Sequence, residues 1–122
     1  MEPIKTDRAP AAIGPYSQGV RCGAWVFTSG QLPVDPATGT VPEGIAAQTE
    51  QALRNALAVV SAAGDATVVK ATLFIRDMAD FPIINEVYGR FFPAPCPARS
   101  CIEAARLPKD VSIEVELTAV IE

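Results

Sequence analysis

Apolar positions along the chain switch between a period of two and a period near 3.6, and the switches mark out its elements. In SQGVRCGAWVFTSG, residues 17–30, the pattern predicts two short strands turning at Gly23, with Trp25 and Phe27 facing the core and Val20 as a further core candidate. QLPVDPATGTVPEG, residues 31–44, is crowded with Pro, Gly, Asp and Thr and predicts a loop, DPATG being its most turn-like part. In the segment from Glu43 to Gly64, one helical stripe carries Ile45, Thr49, Leu53, Ala56, Leu57 and Val60. Gly64 stands where a left-handed cap would end that helix.

TVVKATLFIRDM, residues 67–78, returns to strict alternation, with Val69, Ala71, Leu73 and Ile75 on one face of a strand. Asp80 is then placed to cap a second helix with Pro82 in its first turn, and Phe81, Ile84, Tyr88 and Phe91 recur at helical spacing until Pro93. PAPCPA is too rich in proline for helix. Two strands close the chain, at about 98 to 105 and 111 to 121. The first sets Arg99, Cys101 and Glu103 on one face, against Ala98, Ser100, Ile102 and Ala104 on the other. The second sets Val111, Ile113, Val115, Leu117 and Ala119 opposite Ser112, Glu114, Glu116 and Thr118.

The order is hairpin, helix, strand, helix, strand, strand. Helices between strands imply crossover connections, which predicts an α+β domain of two layers, a mixed β-sheet with two helices on one face. The uncovered face then carries apolar candidates, namely Tyr16, Trp25 or Phe27, Cys101 and Ile102, and an oligomer that packs such faces together accounts for them.

Composition narrows the chemistry. At 122 residues and 49% hydrophobic content, a single domain over residues 1–122 buries roughly 65% of its unfolded surface without staples. No apolar run is long enough for a membrane span, and MEPIKTDRAP lacks a signal-peptide core, so a cytoplasmic location is the expectation. Three cysteines, Cys22, Cys96 and Cys101, lack CxxC spacing and are expected as reduced thiols. A net charge of −4 argues against a nucleic-acid partner. The chain contains no histidine, which excludes Ser-His-Asp and Cys-His nucleophile systems and imidazole-ligated zinc. No phosphate-cradling glycine loop occurs either, and no cofactor or metal is expected. Any proton transfer falls to a carboxylate, Lys, Tyr, Cys, the substrate or water.

Several long motifs then appear in a telling order: APAAIGPYSQGV, TSGQLPVDPATGTVP, QTEQALRNALAVVSAAG, VVKATLFIRDMADF, NEVYGRFF and PARSCIEAARLPKDVSIEVE. From about residue 9 to 121 the chain resembles the YjgF/Rid family, in its RidA branch. The resemblance implies a chorismate-mutase-like fold, a homotrimer around a central barrel, and ligand sites between neighbouring subunits. It implies hydrolysis of reactive 2-imino acids and their enamine tautomers to 2-oxo acids and ammonia, with 2-iminobutanoate and 2-iminopropanoate as the expected substrates.

Within that resemblance, Arg99 of PARSC matches the arginine that holds the substrate carboxylate, for which a planar guanidinium fork is suited. Glu114 of SIEVE matches the acid that positions water. Strand parity alone does not separate it from Glu116. Tyr16 matches the aromatic residue closing the cleft, Ser29 and Gly30 a turn lining it, and Cys101 a residue whose backbone meets substrate; Asn85 matches a supporting asparagine. Each also has an ordinary reading, as interface packing for Tyr16 and Cys101, a tight turn for Ser29 and Gly30, a solvated carboxylate for Glu114, and a surface ion pair for Arg99. The connector FFPAPCPARSC is shorter than in the RidA proteins, and Cys96 stands where a bulky residue is common, which widens the expected pocket. The rival functions are a non-catalytic 2-oxo-acid sensor of the same fold and, with less support, an endoribonuclease or translation inhibitor.

Overall fold

The computed structural model describes residues 1–122. Its strands are β1 (Glu2–Ile4), β2 (Gly19–Cys22), β3 (Trp25–Thr28), β4 (Ala66–Ile75), β5 (Ala98–Glu103) and β6 (Ile113–Ile121), and its helices are α1 (Ile45–Ala63) and α2 (Phe81–Phe91). All six strands form one sheet in the order β1-β2-β3-β6-β4-β5, antiparallel except for the β4–β5 pair. The parallel pair is the crossover that α2 makes possible. α1 packs on β6, β3 and β4 and against α2, so both helices share one face. Between the layers lies a single core that includes Leu53, Ala56 and Val59 of α1, Ala71, Leu73 and Ile75 of β4, and Ile113, Val115 and Leu117 of β6. The predicted fold class is the one observed.

The hairpin turns at Gly23, but its parity is the reverse of the expectation. Val26 and Thr28 are buried, whereas Trp25 and Phe27 are exposed. A four-residue strand has two equivalent alternations, and α1 covers the one that also buries Ala119, the neighbour of Val26 on β6. Thr28 is tolerated inside because its hydroxyl accepts the backbone N–H of Leu117 at 2.9 Å.

A second correction concerns Val69, expected on one face with Ala71, Leu73 and Ile75, which are buried, and found exposed. The β4–β6 register shifts between Val68 and Lys70, a bulge that turns Val69 out of the alternation. Asp80 caps α2 without a side-chain bond, and the bond is made one turn earlier, where Asp77 accepts the N–H of Ala79 in a 3₁₀ turn over Met78–Asp80. Gly64 does end α1, but at φ 139° and ψ −165°, an extended conformation open to glycine rather than the left-handed one. β1 lies in the lead-in, for which no element was expected.

Trp25, Phe27 and Ile102 are 49%, 43% and 48% exposed and lie on the side of the sheet away from the helices. The expected apolar open face is therefore present. Cys101 is not part of it: it aligns with buried Leu73 on the helix side.

Candidate functional site

Arg99 occupies the edge strand β5 opposite Ala71, whose side chain is buried under the helices, so the guanidinium is directed toward α2. Phe81, Asn85 and Tyr88 of α2 fall on one stripe at spacings of four and three, and all three meet it. Nη1 of Arg99 donates to Oδ1 of Asn85 at 2.7 Å, and the guanidinium lies 5.2 Å from the Phe81 ring centroid and 4.8 Å from that of Tyr88. The three ion pairs join Arg54 to Glu50, Arg76 to Asp110 and Arg90 to Glu86. Arg99 thus has a neutral partner, and its charge remains for an anion. This removes the ordinary reading of a surface ion pair.

β5 also has a free edge. The N–H of Ala104 bonds to the carbonyl of Ile75 on β4, and alternation from there turns the backbone N–H and C=O of Arg99, Cys101 and Glu103 outward. Burial pushes the Cys101 thiol above its ordinary pKa, with Arg99 opposing, so it is a poor thiolate nucleophile. Burial likewise raises the Tyr88 phenol, Arg99 lowering it and Cys96 raising it further. The Tyr88 hydroxyl is buried without a hydrogen-bond partner.

A second group of residues gathers where β3 runs into the loop beside β6. Ser29 is fixed by two bonds, its N–H to the carbonyl of Gln18 at 2.8 Å and its hydroxyl to the carbonyl of Ser17 at 2.6 Å. Gln31 and Val115 exchange backbone bonds at 2.7 and 3.0 Å, which brings Gly30 against Glu114. A Cβ on Gly30 would collide with the Glu114 carboxylate, so glycine here makes room for that group. Burial raises the Glu114 pKa, and the neighbouring charge of Glu116 raises it further. Glu116 itself is exposed, which separates two carboxylates that parity could not. Tyr16 is half exposed and lines a cleft of about 450 Å³ with Gly30, Leu32, Val34 and Lys109.

One protomer does not unite the two groups. Glu114 aligns with Phe74 and, through it, with Ile102, on the sheet face opposite Arg99 and Cys101. Tyr16, Ser29, Gly30 and Glu114 fall in one group of candidates, and Arg99, Asn85 and Cys101 in the other.

Sequence reasoning missed the aromatic support of Arg99, for which the helical stripe shared by Phe81, Asn85 and Tyr88 was the available signal. It also missed two buried amides. Gln18 receives the N–H of Thr6 and donates to the carbonyls of Thr6, Ala9 and Pro10, and Asn55 donates to those of Leu32 and Val34. No cluster of His, Cys, Asp or Glu suits a metal ion, and no helix is long and apolar enough to cross a membrane.

Residues 6–121 match the family described as Endoribonuclease L-PSP. The chain is 55% identical to the 2-iminobutanoate/2-iminopropanoate deaminase of Salmonella typhimurium and 54% identical to that of Escherichia coli K12, in each case over 96% of this chain and 95% of the relative. Among solved structures, E. coli TdcF with bound serine is 50% identical with a TM-score of 0.95, and the E. coli YjgF gene product is 50% identical with a TM-score of 0.96, each matched over 100% of both chains.

Proposed function

Because this chain belongs to the endoribonuclease L-PSP family, the family of the YjgF and RidA proteins, we propose that it hydrolyses 2-imino acids to 2-oxo acids and ammonia, at a site shared between copies in a homotrimer. The observation that carries this reading is the separation of an anion-binding half-site, Arg99, from a proton-handling half-site, Glu114, on opposite faces of one sheet. Two copies are needed to present both to one small molecule.

Arg99 holds the carboxylate of the imino acid through two parallel N–H donors, with Asn85 steadying the guanidinium from the other side. The outward N–H and C=O of Cys101 meet the ligand along the β5 edge. Tyr16 closes the cleft, and Ser29 and Gly30 line it. Water bonds to C2 while its proton passes through Glu114 to the imine nitrogen, giving a carbinolamine. The hydroxyl proton then follows the same route as the C–N bond breaks, leaving ammonia and the 2-oxo acid. A positioned base contributes ~10²–10⁴-fold, which is enough for a bond as labile as a small imine. The serine bound by TdcF carries the same α-carboxylate, which supports a small anionic ligand. A phosphodiester finds less support in a chain of net charge −4 without histidine.

The test is competition between hydrolysis and semicarbazide trapping of freshly generated 2-iminobutanoate. Native protein is expected to divert the imine to 2-oxobutanoate, with Arg99→Ala, Arg99→Lys and Glu114→Gln each reduced about 10²-fold or more. A correctly assembled native protein that gives no acceleration overturns the activity. Full activity in Glu114→Gln removes the water role and leaves ligand binding alone.

A further inference from the structure

Among the strand residues, the open face of the sheet carries one cation, Lys70 of β4, which lies between Thr118 of β6 and Ala98 of β5. Its ammonium turns toward β5, donating to the Ser100 hydroxyl at 3.2 Å and the Thr72 hydroxyl at 3.4 Å. Glu116 lies on β6 opposite Thr72, one row along the same face, and is exposed. The two are diagonal neighbours on adjacent strands, yet Lys70 points away from the strand that carries Glu116, and neither belongs to any of the three ion pairs. Each protomer therefore offers a cation without an acid partner and, beside the Glu114 carboxylate packed against Gly30, one exposed acid without a cation partner, on a face whose apolar residues, Trp25, Phe27 and Ile102, favour being covered.

Covering that face removes water from both charges, and an unpaired charge in a dry interface is costly. A second copy supplies the complement. In a cyclic assembly each subunit presents one residue to the next copy and a different residue to the previous one, so a Lys and a Glu on the same face are satisfied all around a closed ring. We infer that Lys70 of one copy pairs with Glu116 of the next, and that this pair selects the register in which the open faces close. The inference rests on the oligomeric reading above and adds the contact that specifies it. Glu116 is also the charge that raises the pKa of Glu114, so the contact ties assembly to the electrostatics of the catalytic carboxylate.

Mixing two charge-reversed chains tests it. Lys70→Glu carries two acids at the paired positions and Glu116→Lys carries two bases, so each alone sets like charges against each other in every interface. Each is expected to lose the native mass by light scattering, or to melt roughly 3–8 °C lower. Equimolar co-refolding is expected to restore both, because most interfaces of a mixed ring are complementary. Native mass and melting temperature in both separate variants overturn the inference, and so does rescue only when both reversals share one chain, which marks a pair within the protomer. If native protein is monomeric, the shared-site reading falls as well. If native protein assembles and mixing gives no rescue, the charge pair alone is refuted.

Discussion

Gly30 and Glu114 share the contact on which the proposed proton handling depends. The carboxylate occupies the space a side chain at residue 30 would take, so Gly30→Ala displaces it. A misplacement of about 1 Å costs on the order of 10²-fold in rate, and we expect a loss of that size in kcat, measured beside the thermal midpoint to exclude unfolding. With Glu114 as the proposed base, its raised pKa is expected to set the acid limb of the pH–rate profile. In that proposed role the group works as carboxylate, so kcat/KM is expected to fall as pH drops through its folded-state value, which lies above the ordinary carboxylate range near 4.3. Glu116→Gln removes the second cause and, in samples that keep the native mass by light scattering, is expected to move that limb to lower pH; an unmoved limb means that the Glu116 charge does not reach Glu114 in the assembly. The sign for stability follows from the same shift. The folded state holds the Glu114 proton more tightly than the unfolded chain, so protonation stabilises the fold, and that contribution is lost as pH rises through the raised value.

α1 does more than cover the sheet. Asn55 is fully buried on its inner face, donates to the carbonyls of Leu32 at 2.9 Å and Val34 at 2.8 Å, and accepts from Gln51 at 2.9 Å. It ties the loop that follows Gly30 to the helix and so holds the wall of the cleft that Tyr16 and Gly30 line. Asn55→Leu leaves two carbonyls without this donor, and at about 1–3 kcal/mol for each buried group left unpaired we expect a loss of at least ~2 kcal/mol in urea unfolding. A change within 0.5 kcal/mol would mean that water replaces the amide. The helical stripe was legible in Thr49, Leu53, Ala56 and Val60, which are all buried. Asn55 was not, because polarity marks a residue as outside unless its partners are known, and the two carbonyls it serves lie more than 20 residues away. The bulge at Val69 escaped for a related reason, since it is a mismatch between two strands and has no trace in either alone.

The proposed assembly depends on a face that the protomer leaves apolar. Trp25 and Phe27 stack there with ring centroids 6.4 Å apart. Phe27→Glu sets a charge among these side chains while leaving Arg99, Asn85 and Glu114 in place, and it is expected to yield a folded monomer without deaminase activity. Light scattering and the trapping assay on the same sample check this, and a fully active monomer would refute the shared site. The candidate residues were all named from motifs, but their partition into two half-sites was not. Motif order carries chemical identity along the chain, whereas face and edge depend on neighbours in space.

Local physics was enough for most of the description of this chain. Hydrophobic period, proline and turn residues settle both helices, five of the six strands and the α+β class, because those signals act within a few residues. The absence of histidine restricts the acid–base chemistry without any structure. Tertiary structure decided which alternation of β3 is buried, where Cys101 faces, and that Arg99 and Glu114 stand on opposite sides of one sheet. A strand's period of two declares that it has two faces, and only the element packed against it determines which is inside.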